Sequence, residues 1–129
     1  MRLRINKDLP LIDQHDKNFM YGGKFGGNFI PETLKKPIDD LTKLFARLRK
    51  DKRFLKERDH YFTNYIGAPT PFIKLENLTD HLGGAQIYAK VVSEANGGAH
   101  KIYNATVHCL ITKKAGKKYI VGDTGAGYA

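Results

Sequence analysis

A histidine and a lysine follow a glycine-rich stretch near residue 100, and this arrangement could support covalent chemistry on an aldehyde. The segment 97–101 reads Gly-Gly-Ala-His-Lys, and apolar residues recur after it at helical spacing until Gly116. The pattern predicts that Lys101 lies where a loop becomes a helix. Because a helix N-terminus disfavours an ammonium charge, a lysine at such a junction can form a Schiff base with an aldehyde cofactor. The alternative interpretation is a solvated surface lysine at a helix start.

A second stretch with the right groups for ligand binding follows residues 119–122, which we predict to form a strand. Ligands of open α/β sheets bind at the carboxyl ends of strands, where this stretch would lie. A hydroxyl and consecutive backbone N–H groups could cradle a carboxylate there. The residues concerned are Asp123, Thr124, Gly125, Ala126 and Gly127.

The elements that would position these residues form a predicted strand–helix–strand unit. Residues 86–92 and 119–122 are rich in β-branched side chains, and the helix that begins at Lys101 lies between them. Such a crossover implies two parallel strands and a right-handed connection. We expect Cys109 on this helix to face a core. The predicted fold class is α/β, with N-terminal helices followed by this βαβ segment.

The rest of the chain shows several local signals. A stripe of apolar residues predicts one helix that either begins near Leu34 or is kinked at Pro37. Residues 72–75 indicate a short strand, and residues 77–82 a turn or short helix. Residues 1–18 are polar and aperiodic and are interpreted as a mobile arm, which leaves 19–129 as the domain. The apolar stripe consists of Leu34, Ile38, Leu41, Leu44, Phe45 and Leu48.

Positive charge is concentrated in one part of the chain. The net charge is +9, and residues 43–58 contain eight basic residues against Asp51 and Glu57. A basic stretch with interleaved aromatic residues could bind nucleic acid weakly and without sequence preference. A solvated helix face, which is the commoner case, has the same composition. The sequence alone leaves both interpretations open.

Several classes of protein and site are excluded or disfavoured by composition. Cys109 is the one cysteine, so no internal disulfide forms, which fits a reducing compartment such as the cytoplasm. No apolar run is long enough to span a membrane, and the first residues lack the apolar core of a secretory signal. The five histidines are scattered without metal-ligand spacing.

Several separated segments resemble the tryptophan synthase beta chain family, whose members are pyridoxal-phosphate enzymes of fold type II. Residues 25–34 follow the family pattern Phe-Gly-Gly-x-Phe-Ile-Pro-Glu-Thr-Leu, and residues 65–70 resemble its Tyr-Ile-Gly-Arg-Pro-Thr segment. The Gly-Ala-His-Lys run and the Thr-Gly-Ala-Gly run match in the same order. The resemblance extends from about Phe19 to Gly127 and covers the N-terminal third of a family chain. It implies the N-terminal helices and opening βαβ segment of a two-domain architecture.

The resemblance also implies a reaction and residue roles. The family replaces the hydroxyl of L-serine with indole to give L-tryptophan, and its cofactor is pyridoxal 5'-phosphate. By this resemblance Lys101 carries the cofactor and shuttles the α-proton, while His100 and Asn104 lie beside the cofactor. Asp123 stands for a proton-handling glutamate, and residues 124–127 hold the carboxylate of the substrate. An alpha chain or domain and a second beta chain are the implied partners.

Departures from the family pattern concern the active site. Lys90 matches a family lysine, but residues 91–94 replace the Arg-Glu-Asp-Leu that follows it, and Ala68 replaces an arginine. Tyr103 stands where the family has asparagine, and Asp123 is one methylene shorter than glutamate. The phosphate-gripping loop and the group facing the pyridine nitrogen belong to the two thirds of a family chain not matched here. We therefore expect a truncated chain that is inactive alone, or a non-catalytic remnant that binds a partner through residues 43–58.

Overall fold

The computed structural model describes residues 6–125 and 127, and it combines helices with two small sheets. The chain divides into two compact units, Met1–Asp40 and Leu41–Ala129. The predicted class, a mixture of helix and strand that fits an incomplete α/β fragment, is confirmed. Residues 1–5 of the predicted arm and Ala126 of the predicted carboxylate cradle lie outside the described residues.

The first unit contains a short hairpin preceded by one turn of 3-10 helix at Leu11–Asp13. Strand β1 (Met20–Tyr21) pairs antiparallel with β2 (Phe25–Gly26). Gly22 and Gly23 have φ values of 58° and 72°, which L residues with side chains adopt reluctantly, and they allow the chain to reverse between the strands.

Helix α1 (Glu32–Leu48) contains residues of both units. It begins directly after Pro31 and continues as one element through Pro37, so its start lies before Leu34. Pro37 lies in the second turn, where the missing N–H removes one hydrogen bond without ending the helix. The buried side chain on α1 is Leu48, which is 3% exposed at the end of the helix.

The core of the second unit lies where α1 ends and two further helices meet. Helix α2 (Lys52–Tyr61) leads into one π-helical turn at Phe62–Ile66, and the last helix is α4 (Lys101–Lys114). Leu48, Phe54 and Leu110 form the buried cluster that joins the three helices. The carboxylate of Asp51 caps α2 by accepting hydrogen bonds from the backbone N–H groups of Arg53 and Phe54.

Between the π turn and α4 lies the second sheet with one short helix. Strand β3 (Phe72–Lys74) is followed by α3 (Glu76–Leu82) and then by β4 (Tyr88–Lys90). The two strands pair antiparallel, with Ile73 opposite Ala89. The strands predicted at 72–75 and 86–92 and the short helix predicted at 77–82 are therefore confirmed in position.

The predicted parallel βαβ pairing is wrong in this structure. Strand β4 pairs with β3, which precedes it, and residues 119–122 form no strand within the described chain. Tyr119 and Val121 are 85% and 95% exposed. A parallel strand needs a neighbour and cover on both faces, and the described residues supply neither beside this segment.

Candidate active site at the start of the last helix

Lys101 is the first residue of α4, as the sequence predicts, and His100 occupies the capping position before it. The loop that leads into the helix turns at Gly97 and Gly98, whose φ values of 92° and 72° favour glycine. The backbone N–H of Gly98 donates to the carbonyl of Ala95 over 2.8 Å. The chain therefore passes from loop to helix within a few residues, and Lys101 lies on the first helical turn.

The loop before Lys101 is fixed to the segment that follows α2. The backbone N–H of Asn96 donates to the Ile66 carbonyl over 2.9 Å, and that of Val91 donates to the Pro71 carbonyl over 2.9 Å. Ile66 is 1% exposed and Ala95, the residue before Asn96, is 4% exposed, so buried residues lie on both sides of this connection. The position of the lysine therefore depends on the 66–71 segment as well as on α4.

The three predicted cofactor residues lie together at the start of α4. His100, Lys101 and Asn104 are all exposed to solvent, and Lys101 and Asn104 are one helical turn apart. Tyr103, which departs from the family asparagine, turns inward and contacts Phe62 edge to face, with 5.3 Å between ring centroids. That contact packs one face of α4 against the π turn and leaves Lys101 and Asn104 on the exposed side.

The other half of the predicted site follows α4 in the chain, beginning nine residues after Lys114. Asp123, Thr124 and Gly125 are exposed and follow the end of α4, which has 14 residues and is therefore about 21 Å long. Gly127 is exposed as well. The described structure thus groups the predicted cofactor residues at the start of α4, whereas the predicted carboxylate cradle and Asp123 belong to the segment that follows the helix.

Sequence reasoning missed an apolar groove that runs along α4. It has a volume of about 320 Å³ and lies between α2, the π turn and α4. Cys109 lines this groove with an exposed free thiol, so the prediction that it faces a core is wrong. The sequence signal for the groove is the pair Tyr61 and Tyr65 at helical spacing opposite the small side chain of Ala105. The lining residues are Tyr61, Tyr65, Ile102, Ala105, Thr106, Cys109, Leu110 and Lys113.

An acidic residue of α2 anchors the C-terminal end of α4. The Glu57 carboxylate pairs with the ammonium of Lys114 at 2.8 Å and with that of Lys113 at 3.3 Å. Hydrogen bonding from Lys114 holds the pKa of the Glu57 carboxyl below its usual value, and Lys113 acts in the same direction against partial desolvation. These pairs position the helix whose first residue is Lys101.

The groups at the start of α4 fit covalent attachment of an aldehyde cofactor but do not enclose one. The Lys101 side chain is accessible, and a Cβ built on Gly98 would meet no atom within 4 Å, so a ligand can approach the backbone there. His100 offers an exposed ring directly beside the lysine. Since all three predicted cofactor side chains are exposed, a ring held at Lys101 would stay in contact with water.

Two other structural features are absent from residues 6–125 and 127. No group of three or more His, Cys, Asp or Glu side chains is placed to hold a metal ion. In the same residues, no helix combines the length and apolar character needed to cross a membrane.

Comparison with known proteins identifies similar chains. No protein-family model matches the sequence. Over 107 residues, 83% of this chain, it is 43% identical to the tryptophan synthase beta chain of Fusobacterium nucleatum and covers 27% of that protein. Over the same length and with the same coverage, it is 44% identical to the tryptophan synthase beta chains of two strains of Leptospira biflexa serovar Patoc. The resemblance predicted from the motifs is confirmed, and the chain spans about 27% of the length of these curated relatives, in their N-terminal part.

Proposed function

We propose that this chain carries the lysine-bearing N-terminal part of a tryptophan synthase beta function, the pyridoxal-phosphate-dependent replacement of the serine hydroxyl by indole. The observation that supports it best is the Gly-Gly-Ala-His-Lys run, which ends with Lys101 as the first residue of α4. The identity of 43–44% to tryptophan synthase beta chains over 83% of the chain supports the same assignment.

The proposed roles follow the resemblance residue by residue. Lys101 would hold the cofactor covalently and move the α-proton of the substrate, with His100 and Asn104 beside the cofactor. Pyridoxal phosphate supplies an electron sink that stabilises negative charge at the α-carbon of the amino acid. Asp123 would accept and return a second proton, while the Thr124 hydroxyl and the backbone N–H groups through 127 would orient the substrate carboxylate.

Turnover requires Lys101 and residues 123–127, which follow α4 in the chain, to act on one substrate in a site that excludes water. The exposure of His100, Lys101 and Asn104 leads us to propose that the described residues alone do not catalyse the reaction. An alpha chain or domain and a second beta chain are the partners we propose, in the cytoplasm, with residues 1–18 as an arm and 19–129 as the family-like domain.

A direct assay tests whether the chain acts alone. The purified chain is incubated with pyridoxal phosphate, L-serine and indole, and tryptophan is measured by mass spectrometry. We expect no tryptophan above the background of free cofactor. Tryptophan that forms above this background and is lost in Lys101→Ala would show that the chain is an enzyme by itself.

A chimera tests the proposed roles in a complete site. Residues 19–127 replace the matched segment of the Fusobacterium nucleatum beta chain, and tryptophan formation is measured. We expect activity that Lys101→Ala abolishes. Restoring glutamate by Asp123→Glu should raise the rate by up to about 10²-fold, because a shift of about 1 Å in a catalytic carboxylate costs a factor of that order. A folded chimera that stays inactive with Asp123→Glu would contradict the proposal.

A second candidate function is that of an interaction module for an anionic partner, acting through residues 43–58. The supporting observation is that the acidic side chains of this stretch are engaged within the fold, Asp51 as a helix cap and Glu57 with two lysines of α4. Heparin chromatography tests it. Neutralising exposed basic residues in 43–58 should lower the salt needed for elution more than neutralising as many lysines elsewhere.

A further inference from the structure

We infer that the bend between α1 and α2 forms a nucleic-acid-binding surface that contacts the phosphate backbone without reading base sequence. This inference rests on the second candidate function and deepens it by assigning a partner class and a set of residues. The corner surface, as we name it, comprises Lys43, Arg47, Lys50, Lys52, Arg53 and Lys56, all of which are exposed.

On the α1 side, the direction of the basic residues follows from core packing. Lys43 and Arg47 are one helical turn apart on α1 and so share one stripe, and Lys50 lies in the turn that follows the helix. Leu44 and Leu48 form the neighbouring stripe, where Leu48 is buried and Leu44 packs against the core. Because these two leucines face the core, the neighbouring basic residues of α1 face the solvent in the folded chain.

On the α2 side, the same core sets the orientation. Phe54 is 5% exposed and packs with Leu48, so it fixes which face of α2 is turned inward. Lys52 and Lys56 are one helical turn apart and exposed, and Arg53 lies beside them. The two basic groups are joined by the short bend whose backbone is tied by hydrogen bonds from Lys50 to Arg47 and from Asp51 to Leu48.

The acidic residues near the corner surface are engaged by other groups. The Asp51 carboxylate accepts the backbone N–H of Arg53 at 2.8 Å, Glu57 pairs with two lysines of α4, and Asp59 pairs with Arg58 at 2.6 Å. None of the six basic side chains of the corner surface forms an ion pair within residues 6–125 and 127. The surface therefore keeps its positive charge in the folded state.

The distribution of these positive charges over the corner surface favours nucleic acid over other anions. Six exposed cations spread over two helices and the turn between them match a partner with many regularly spaced negative charges, and duplex DNA carries one phosphate per about 1.7 Å of axis. On α1, Leu44 and Leu48 pack toward the core, while Leu41 and Phe45 remain 49% and 39% exposed, so binding to an anionic membrane is the alternative that the experiment must separate from binding to nucleic acid. Phosphate contacts of this kind position a duplex and carry no sequence information.

Salt dependence of binding tests the inference on the intact chain. Fluorescence anisotropy measures its affinity for a fluorescein-labelled DNA duplex of about two helical turns over a range of salt concentrations. Each phosphate contact contributes about −0.9 to the slope of log K against log salt, so four contacts give about −3.6. The variant Arg47→Gln, Lys50→Gln, Lys52→Gln, Lys56→Gln should lose most of that slope and bind more weakly.

A matched control separates the corner surface from net charge. The variant Lys7→Gln, Lys17→Gln, Lys24→Gln, Lys74→Gln removes the same charge from exposed positions elsewhere and should change the slope by less than about 1. Circular dichroism of both variants checks that they are folded.

The possible outcomes are distinguishable. Equal effects of the two variants would overturn the inference, because net charge alone would then explain binding. Binding to anionic lipid vesicles but not to the duplex would overturn it and leave the interaction module standing. Failure to bind the duplex, the vesicles and heparin would overturn both this inference and the interaction module. A sequence-selective complex that survives physiological salt would show that the surface reads bases and not only the phosphate backbone.

Discussion

The two ends of α4 differ in how they are held. At the C-terminal end, Leu110 is 5% exposed in the helical core, and Lys113 and Lys114 pair with Glu57. At the N-terminal end, Lys101 and its neighbours are exposed, and only the inner face of the helix is packed. The comparison teaches that a buried leucine and ion pairs hold the C-terminal end of α4, while the end with the predicted cofactor residues is packed through its inner face alone.

Removing the main aromatic group of the core should have the largest effect on this comparison. Phe54→Ala should lower the free energy of unfolding by about 3–5 kcal/mol, because a buried ring is lost and a cavity is left. Urea denaturation measures the change. The control is Phe29→Ala, which removes a ring that is 89% exposed and should cost far less. Equal losses in the two variants would show that the cluster does not stabilise the fold.

Loss of the α2 cap should have a smaller effect. Asp51→Ala leaves the N–H groups of Arg53 and Phe54 without their side-chain acceptor and should cost about 1 kcal/mol. Asp59→Ala removes an exposed carboxylate of the same charge and should cost less, since exposed ion pairs contribute little. Thermal melts of both variants give the comparison, and a larger loss for Asp59→Ala would refute the capping role.

The ion pairs of Glu57 with Lys113 and Lys114 should make the stability of the fold depend on pH. The folded pKa of this carboxyl is lowered, so its contribution is present above the ordinary value of 4.5 and is lost as the pH falls through the folded value. Glu57→Gln should therefore lower the urea midpoint at pH 7, and the difference from the unmodified chain should shrink as the pH is lowered below 4.5. A difference that does not change with pH would exclude this linkage.

Local pattern predicted the elements of the second unit better than their pairing. The helix from Lys101 and the strands near 72 and 88 follow from spacing and composition, which act over a few residues. Composition does not specify which strand a strand pairs with. It therefore predicts a parallel unit of β4 with residues 119–122, whereas β4 pairs with β3, from which it is separated in the chain by the short helix α3. The hairpin of β1 and β2 was not predicted, although its paired glycines are a known turn signal.

The candidate site likewise has features that the sequence predicts and features that depend on tertiary packing. The position of Lys101 was predictable because a glycine-rich loop followed by helical periodicity marks a helix start. The inward turn of Tyr103 toward Phe62 and the exposure of Cys109 were not predictable, because both depend on where α2 and the π turn lie against α4. The sequence pattern of α4 alone does not indicate where α2 and the π turn pack against it.

The accessibility of Lys101 should make its removal neutral for folding. Lys101→Ala should leave the urea midpoint within the error of measurement, since the side chain is exposed and alanine is a good helix former. A clear destabilisation would mean that the lysine has a structural role at the start of α4.

Site-resolved labelling with pyridoxal phosphate tests the central claim, that α4 presents Lys101 as the cofactor lysine. The intact chain is incubated with limiting cofactor and reduced with borohydride, and labelled peptides are quantified by mass spectrometry, with exposed Lys74 as the internal control. The account predicts that Lys101 takes up label well before Lys74 and that Lys101→Ala removes this preferred site. Labelling distributed evenly over Lys101, Lys74 and the other exposed lysines would contradict it.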